Sequence, residues 1–289
     1  MNHDTTPLTF NDPYNQPKTH SYRVKEIAFL TEVFREDKYD RLAYKIATYI
    51  HNFLKAQGKV DDIKNFLEEL EAYSTDSRSE NFIWELVYIR RYIKNKYSNP
   101  EIAIRHGTIA ANHFGTICKI NPSVYNRCCR ILELLSLVPF LNRLKSNEAR
   151  KRHSELLENA ETFFNDIKVK NPAPTIYLRT AYFLYSFKTD YLVLTNAPAE
   201  VQLCELSKFA IHARNYYMQS KEVFVLIKLA ETYIELCKIP DFPYESEREN
   251  IFFLLKELNK EPNNKSYDAR SALRRLRAAV TKYTADDDD

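Results

Sequence analysis

The feature that most constrains this chain is its shortage of glycine, with three glycines among 289 residues. An average globular protein of this length has roughly 20. Glycine supplies the positive-φ backbone of tight hairpin turns and lets backbone amides approach a phosphate group. The shortage therefore argues against β-sandwiches, β-barrels and dinucleotide-binding folds. The sequence also lacks the glycine-rich nucleotide-binding motifs and the G-x-S-x-G motif of hydrolases, so neither kind of site is predicted.

Apolar residues recur at spacings of three and four along nearly all of the chain after residue 20, which is typical of amphipathic helices. Asn-Pro-Glu at 99–101 and Asn-Pro-Ser at 121–123 place a capping residue and a proline where helices would begin. The sequence therefore predicts an all-α protein of about twelve helices. We expect them at residues 21–36, 39–57, 60–73, 79–97, 100–119, 123–142, 146–168, 174–191, 198–219, 221–238, 246–260 and 266–283.

Two of these predicted helices are apolar around most of their circumference. Segment 221–238 has a single narrow polar stripe, and segment 82–97 has apolar residues on two faces. A helix of this kind must be covered by neighbours on several sides. A stack of antiparallel helical hairpins, in which each layer covers the last, provides those neighbours.

Segments 80–97 and 229–238 loosely resemble the first helix of a tetratricopeptide repeat, which carries a W-x-x-L-G-x-x-Y core. Here Trp84 is followed by Leu86 and Tyr88, and the glycine of the repeat is missing. The resemblance implies an α-α superhelix that is tetratricopeptide-like at most, with an irregular helical bundle as the alternative. It does not imply membership of that family.

Composition divides the chain into four predicted regions. Residues 1–20 are polar and contain three prolines, which indicates a flexible N-terminal arm. A helical-hairpin domain follows over 21–260, with a sub-boundary near 170–175, and a basic amphipathic helix over 261–285. The acidic tail 286–289 has two interpretations: a native segment that competes with anionic ligands, or residues added for expression.

The five cysteines are odd in number, lie inside helical patterns and form no C-x-x-C pair. That usage is typical of a reducing cytoplasm, where we expect the protein. The polar N-terminus lacks the apolar core of a secretory signal. No stretch approaches 18 uncharged apolar residues, so no membrane span is expected.

The histidine pattern predicts neither a metal nor a cofactor. His106 and His113 lie seven residues apart on one helix, a rise of about 10.5 Å, and two ligands of one ion cannot be that far apart. A helical nuclease of the HEPN type would need Arg and His separated by four to six residues. The nearest pair, Arg105 and His113, has seven between them. We therefore expect no catalytic residues, with a helical nuclease as a minor alternative.

Gly107, Ala110, Ala111 and Gly115 form a patch of small residues along the same predicted helix. Glycine inside a helix costs up to about 1 kcal/mol relative to alanine. The patch is therefore expected to let another helix approach closely.

Three segments are more basic than the chain as a whole, whose net charge is +3. Arginine rows bind phosphate groups or acidic protein surfaces, and exposed tyrosine beside arginine is typical of interface hot spots. The simpler interpretation is ordinary solvated charge. The candidate partner-binding or phosphate-binding residues are Tyr88, Arg90, Arg91, Tyr92 and Lys94 in the first segment, Arg150, Lys151 and Arg152 in the second, and Arg270, Arg274, Arg275 and Arg277 in the third.

The sequence thus favours a non-catalytic helical scaffold or adaptor that binds another protein as a subunit or regulator of a larger assembly. The alternative is a nucleic-acid-associated protein that contacts phosphates through its Arg and Lys rows. The oligomeric state and the partner are not predicted.

Overall fold

A computed structural model describes residues 20–170, 172–239 and 242–284, and within them it confirms the all-α fold. These residues form thirteen α-helices, one short 3-10 helix over Asn263–Lys265 and no strand. The helices are α1 (His20–Glu36), α2 (Asp40–Lys55), α3 (Lys64–Tyr73), α4 (Glu80–Lys96), α5 (Pro100–Ile120), α6 (Val124–Leu135), α7 (Val138–Leu144), α8 (Asn147–Asn165), α9 (Thr175–Leu194), α10 (Ala199–Ser220), α11 (Val223–Leu236), α12 (Tyr244–Asn259) and α13 (Tyr267–Thr284).

One predicted helix, 123–142, is two helices in the structure, α6 and α7. Pro139 explains the break, because proline has no N–H to continue the helical ladder and its ring clashes with the preceding turn. Pro139 instead occupies the first turn of α7, where a missing N–H costs nothing. The break places Ser136 and Leu137 between the two helices, and both residues pack against the α4 and α5 region described below.

The chain divides into two compact units, residues 1–89 and residues 90–289, with the boundary inside α4. The predicted sub-boundary near 170–175 lies within the second unit, and the domain assignment made from the sequence stays a prediction. Most of the predicted N-terminal arm and the whole acidic tail 286–289 lie outside the described residues.

In the first unit, α1 packs against α2, and α3 packs against both. Its core contains fully buried aromatic side chains, Phe34 and Phe53 among them. The start of α2 is tied to the end of α3, because Asp40 Oδ1 accepts a hydrogen bond from the Tyr73 hydroxyl at 3.0 Å.

In the second unit, helices that follow one another in the chain lie side by side, as in α5 with α6 and α9 with α10. Helix α11 packs against α10, α12 and α13, which confirms the prediction that neighbours cover segment 221–238 on several sides. Tyr233 on α11 is fully buried, and its hydroxyl donates a hydrogen bond of 2.5 Å to the carboxylate of Glu247 on α12.

The left-handed backbone positions in the described residues are filled by residues other than glycine. Gln57, Lys145, Asn196 and Lys221 have positive φ, and no glycine does. These residues lie at or just beyond the ends of α2, α7, α9 and α10, where a left-handed residue commonly terminates a helix. The shortage of glycine is therefore compatible with this fold, because one left-handed residue is enough to end a helix.

Candidate functional site

Two cations of the first basic segment, on α4, share one buried carboxylate. The carboxylate of Glu133 on α6 is 2% exposed. It accepts hydrogen bonds from Lys94 Nζ at 2.8 Å and from Arg91 Nε at 2.5 Å. Lys94 Nζ also donates to the Ser136 hydroxyl at 2.8 Å. Each of these charges has a partner, as a charge removed from water requires.

The prediction that Arg90 and Lys94 belong to an exposed binding surface is therefore wrong. Arg90 is 7% exposed and Lys94 is 5% exposed. Arg90 Nη1 lies 2.8 Å from His106 Nδ1 on α5, so Arg90 donates to this nitrogen. Helical spacing alone could not reveal the burial, because the residues that Arg90 and Lys94 bond to lie on α5 and α6.

Gly107 makes this packing possible. A Cβ atom at Gly107 would lie 2.2 Å from Leu137 Cδ2 and 2.9 Å from Lys94 Cδ, both far inside contact distance. The missing side chain lets the stem of Lys94 and the side chain of Leu137 lie against α5. At this position the small-residue patch has the close-approach role that the sequence predicted.

The other members of the first segment remain at or near the surface. Tyr88 is 43% exposed, and its ring stacks on that of His51 with centroids 6.2 Å apart. Tyr92 is half-buried, with Lys96 Nζ 6.0 Å from the centre of its ring. Arg91 is half-buried, and its guanidinium lies 5.1 Å from the centre of the Phe114 ring.

The second segment, at the start of α8, lies at the surface. Arg150 and Lys151 are exposed, and Lys151 Nζ lies 3.9 Å from Glu155 on the next turn. Arg152 Nη1 donates to Glu101 Oε2 at 3.3 Å. The following residue, His153, points inward and is 3% exposed. Burial lowers the pKa of His153 to about 4.

The third segment, on α13, forms a concave site. Arg270, Arg274 and Arg277 line a groove of about 600 Å³, which we call the α13 groove. Lys265, Asn259, Asn264 and Leu273 are its other described lining residues, and none of the described lining residues is a carboxylate. The three arginines recur at spacings of four and three, so they lie along one face of the helix.

The arginines of the α13 groove differ in how they are held. Arg270 Nη1 donates to the main-chain carbonyls of Asn264 and Lys265 at 3.0 Å each, which fixes it against the 3-10 helix. Arg274 and Arg277 are exposed, and no carboxylate of the described residues lies within ion-pair distance of either. The groove therefore presents guanidinium donors that the fold itself does not use.

Arg275 is separated from the other three. One position along a helix rotates the side chain by about 100°, so Arg275 points to a different groove. That groove, of about 280 Å³, is also lined by Asp190, Glu231 and Glu235, which gives it a mixed charge. Arg275 is exposed but does not contribute to the basic row.

Tyr267 is a candidate that the sequence analysis missed. It is 71% exposed and lines a second shallow cleft with Arg270 and Arg274. Its spacing of three and seven residues from these arginines places it on the same helix face, and that spacing was visible in the sequence. An exposed tyrosine beside unpaired arginines is typical of an interface hot spot.

Residues 20–170, 172–239 and 242–284 contain no group of three or more His, Cys, Asp or Glu side chains close enough together to hold a metal ion. Over the same residues, no helix has both the length and the apolarity needed to cross a membrane.

Comparisons with known proteins give no family. No protein-family model matches the chain, and no curated protein matches it. One solved structure, described as "Computational Design of Self-Assembling Cyclic Protein Homooligomers", aligns over 91% of this chain and 92% of its own, with 17% identity and a TM-score of 0.16. A similarity this low carries no argument about fold or function.

Proposed function

We propose that this chain is a non-catalytic helical protein that acts as a subunit or adaptor of a larger assembly, and that it docks an acidic surface of a partner protein on the α13 groove. The observation that carries the proposal is the groove itself, since its described lining residues include Lys265 and three arginines and no carboxylate. Arginine is enriched at protein interfaces, where its planar group binds carboxylates through paired hydrogen bonds.

The extent of the basic surface favours a protein partner over a nucleic acid. A protein that binds a nucleic-acid backbone tightly makes about six to ten phosphate contacts. Of the three basic segments that the nucleic-acid alternative requires, the first has Arg90 and Lys94 buried and Arg91 paired with Glu133. The second has Arg152 paired with Glu101. On α13 the basic residues form a short concave patch, which suits a short acidic surface.

A cytoplasmic location is part of this proposal. The cysteines of the described residues form no disulfide, and three of them are buried. Free thiols persist most readily in a reducing compartment.

Affinity capture from the source cell, with nuclease-treated and untreated halves, tests the proposal. We expect a protein partner that the wild type retains in both halves and that Arg274→Gln/Arg277→Gln loses. The control is Arg41→Gln/Lys45→Gln, which removes two exposed charges from one face of α2 and should keep the partner. Loss of the partner after nuclease treatment would favour the alternative in which the groove binds a nucleic acid. Equal retention by the α13 variant would reject the groove as the docking site.

A further inference from the structure

A second basic concavity lies in the second unit, between α5, α6 and the end of α8. This cleft has a volume of about 460 Å³. Its walls carry Lys119 from α5, Arg127 and Arg130 from α6, and Phe163 and Asp166 from the end of α8. None of these residues is among the candidates that the sequence analysis selected. We call it the α5–α6–α8 cleft.

The cleft has an excess of positive charge that the fold does not neutralise. Lys119, Arg127 and Arg130 face one carboxylate, Asp166. Over the described residues, none of the three cations lies within ion-pair distance of a carboxylate. Lys188, another partly buried cation of this unit, pairs with Glu161 at 2.7 Å and with Glu205 at 3.1 Å. Half-buried arginines without an anion are costly, and a bound anion would compensate them.

Both arginines are held in place by contacts that leave hydrogen-bond donors available. The guanidinium carbon of Arg130 lies 4.1 Å from the centre of the Phe163 ring, a cation–π contact. Stacking uses the face of the guanidinium and leaves the N–H groups around its edge directed outward. Arg127 Nη1 donates to the main-chain carbonyl of Asp166 at 3.4 Å, which restrains the side chain without neutralising it.

Gly115 lies beside Arg130 in the same cleft, and packing does not require it to be glycine. A Cβ atom at Gly115 would lie 3.6 Å from the guanidinium carbon of Arg130, an ordinary contact, and its φ is not positive. Gly107 differs, because there a Cβ atom would clash. Glycine destabilises a helix interior relative to alanine, so an unneeded one indicates that open space is useful here. Asn112 and Thr116 line the same cleft and add neutral hydrogen-bonding groups.

We infer that the α5–α6–α8 cleft binds a phosphomonoester group carried by a small molecule. Three cations against one carboxylate match the charge of a phosphate dianion. The forked donors of two arginines fit phosphate oxygens in pairs. The volume is within the range of small-molecule sites, roughly 300–1,000 Å³. This inference is independent of the α13 groove, since the two sites share no residue.

Titration calorimetry of the full chain with glucose 6-phosphate, at low salt and with glucose as the neutral counterpart, tests the inference. We expect saturable binding of the phosphate ester and none of glucose. Hydrogen bonds to charged groups are strong enough that Arg127→Gln/Arg130→Gln should weaken binding at least about tenfold. The matched control, Arg41→Gln/Lys45→Gln, removes the same charge from the exposed face of α2 and should change the affinity less than about twofold.

A steric variant tests the cleft without changing its charge. Gly115→Leu should fill the space beside Arg130 and abolish binding, with a thermal midpoint showing that the protein remains folded. Absence of saturable binding to the wild type would overturn the inference, and so would equal weakening by the α2 control. Much tighter binding of a phosphoserine peptide than of glucose 6-phosphate would also overturn it, by assigning the cleft to a protein ligand.

Discussion

The basic residues of α4 and those of α13 look alike in the sequence, since both are runs of Arg and Lys at helical spacing with tyrosine nearby. In the structure they differ. Lys94 and Arg91 on α4 surround the buried carboxylate of Glu133, whereas Arg274 and Arg277 on α13 are exposed and face no carboxylate among the described residues of their groove. The first set holds helices together, and the second is available to another molecule.

The difference shows that the role of a cation depends on which partner side chains the neighbouring helices place next to it. The buried cations of α4 donate hydrogen bonds to one glutamate on α6 and to one histidine on α5. A surface-exposed ion pair contributes about 0–1 kcal/mol to the free energy of unfolding. Removing one partner of a buried ion pair costs several kcal/mol. Substitutions in the two segments should therefore differ in what they change: folding on α4, binding on α13.

The largest effect is expected at Glu133. Replacing it with glutamine leaves Lys94 buried beside Arg91 with no negative charge, and removal of one partner of a buried ion pair costs about 3–5 kcal/mol. Urea unfolding followed by circular dichroism measures the loss. The double variant Lys94→Met/Glu133→Gln should recover much of it, because the ammonium group that Glu133 paired inside the protein is then gone. Loss of less than about 1 kcal/mol in Glu133→Gln would contradict the contrast between the two segments.

The second effect concerns a buried basic residue that lacks an acidic partner. His153 follows the exposed basic residues of α8, and burial lowers its pKa from 6.5 to about 4. Between these values the unfolded chain binds a proton that the folded chain does not, so stability falls as the pH falls from 6.5 to about 4. The loss should approach about 3 kcal/mol.

The contribution of His153 is measured by comparing the wild type with His153→Phe. The free energy of unfolding of each protein is determined at about pH 7.5 and at about pH 4.5. The variant keeps an aromatic ring of similar size against Tyr191 and cannot titrate. Its stability should therefore decrease less on acidification than that of the wild type. Parallel pH dependence in the two proteins would show that His153 keeps its proton when folded.

A third prediction compares two glycines on α5. Gly107→Ala places a methyl group against Leu137 and Lys94, and overpacking of this kind costs about 1–3 kcal/mol. Gly115→Ala meets only ordinary contacts and should stabilise the helix by up to about 1 kcal/mol. Thermal unfolding of the two variants measures both shifts. Shifts of the same sign would mean that close packing next to Lys94 does not distinguish these positions.

The smallest effect on stability is expected on α13. Arg274→Gln/Arg277→Gln removes exposed side chains with no ion pair in the described structure, so the unfolding free energy should change by less than about 0.5 kcal/mol. Removing neighbouring like charges could even be slightly favourable. Urea unfolding in low and high salt checks both statements. A loss comparable to that of Glu133→Gln would show that α13 uses its arginines to fold.

Much of the fold was predictable from local patterns. The periodicity of apolar residues placed helices such as α4, α5 and α13 within a few residues of their observed ends. The one predicted helix that is divided, 123–142, contains Pro139, whose effect on the ladder is itself local. The sequence also placed Arg270, Arg274 and Arg277 on one face, because helical spacing is enough to do so.

The candidate sites were only partly predictable. The α5–α6–α8 cleft unites residues from 112 to 166, and no local spacing indicates that Arg130 stacks on Phe163. The burial of Arg90 and Lys94 depends on contacts across 16 and 39 positions of the chain. Helical spacing was enough to place Tyr267 on the same face as the arginines. Its exposure, however, depends on the tertiary structure.

By itself, the sequence determined the helical class, most helix boundaries and the faces on which charged residues lie, because these follow from interactions among residues a few positions apart. Tertiary structure alone decided which cations are neutralised and which are available. That outcome depends on the partners that distant segments bring within about 3 Å and on the water that those segments exclude. Short-range spacing contains neither kind of information.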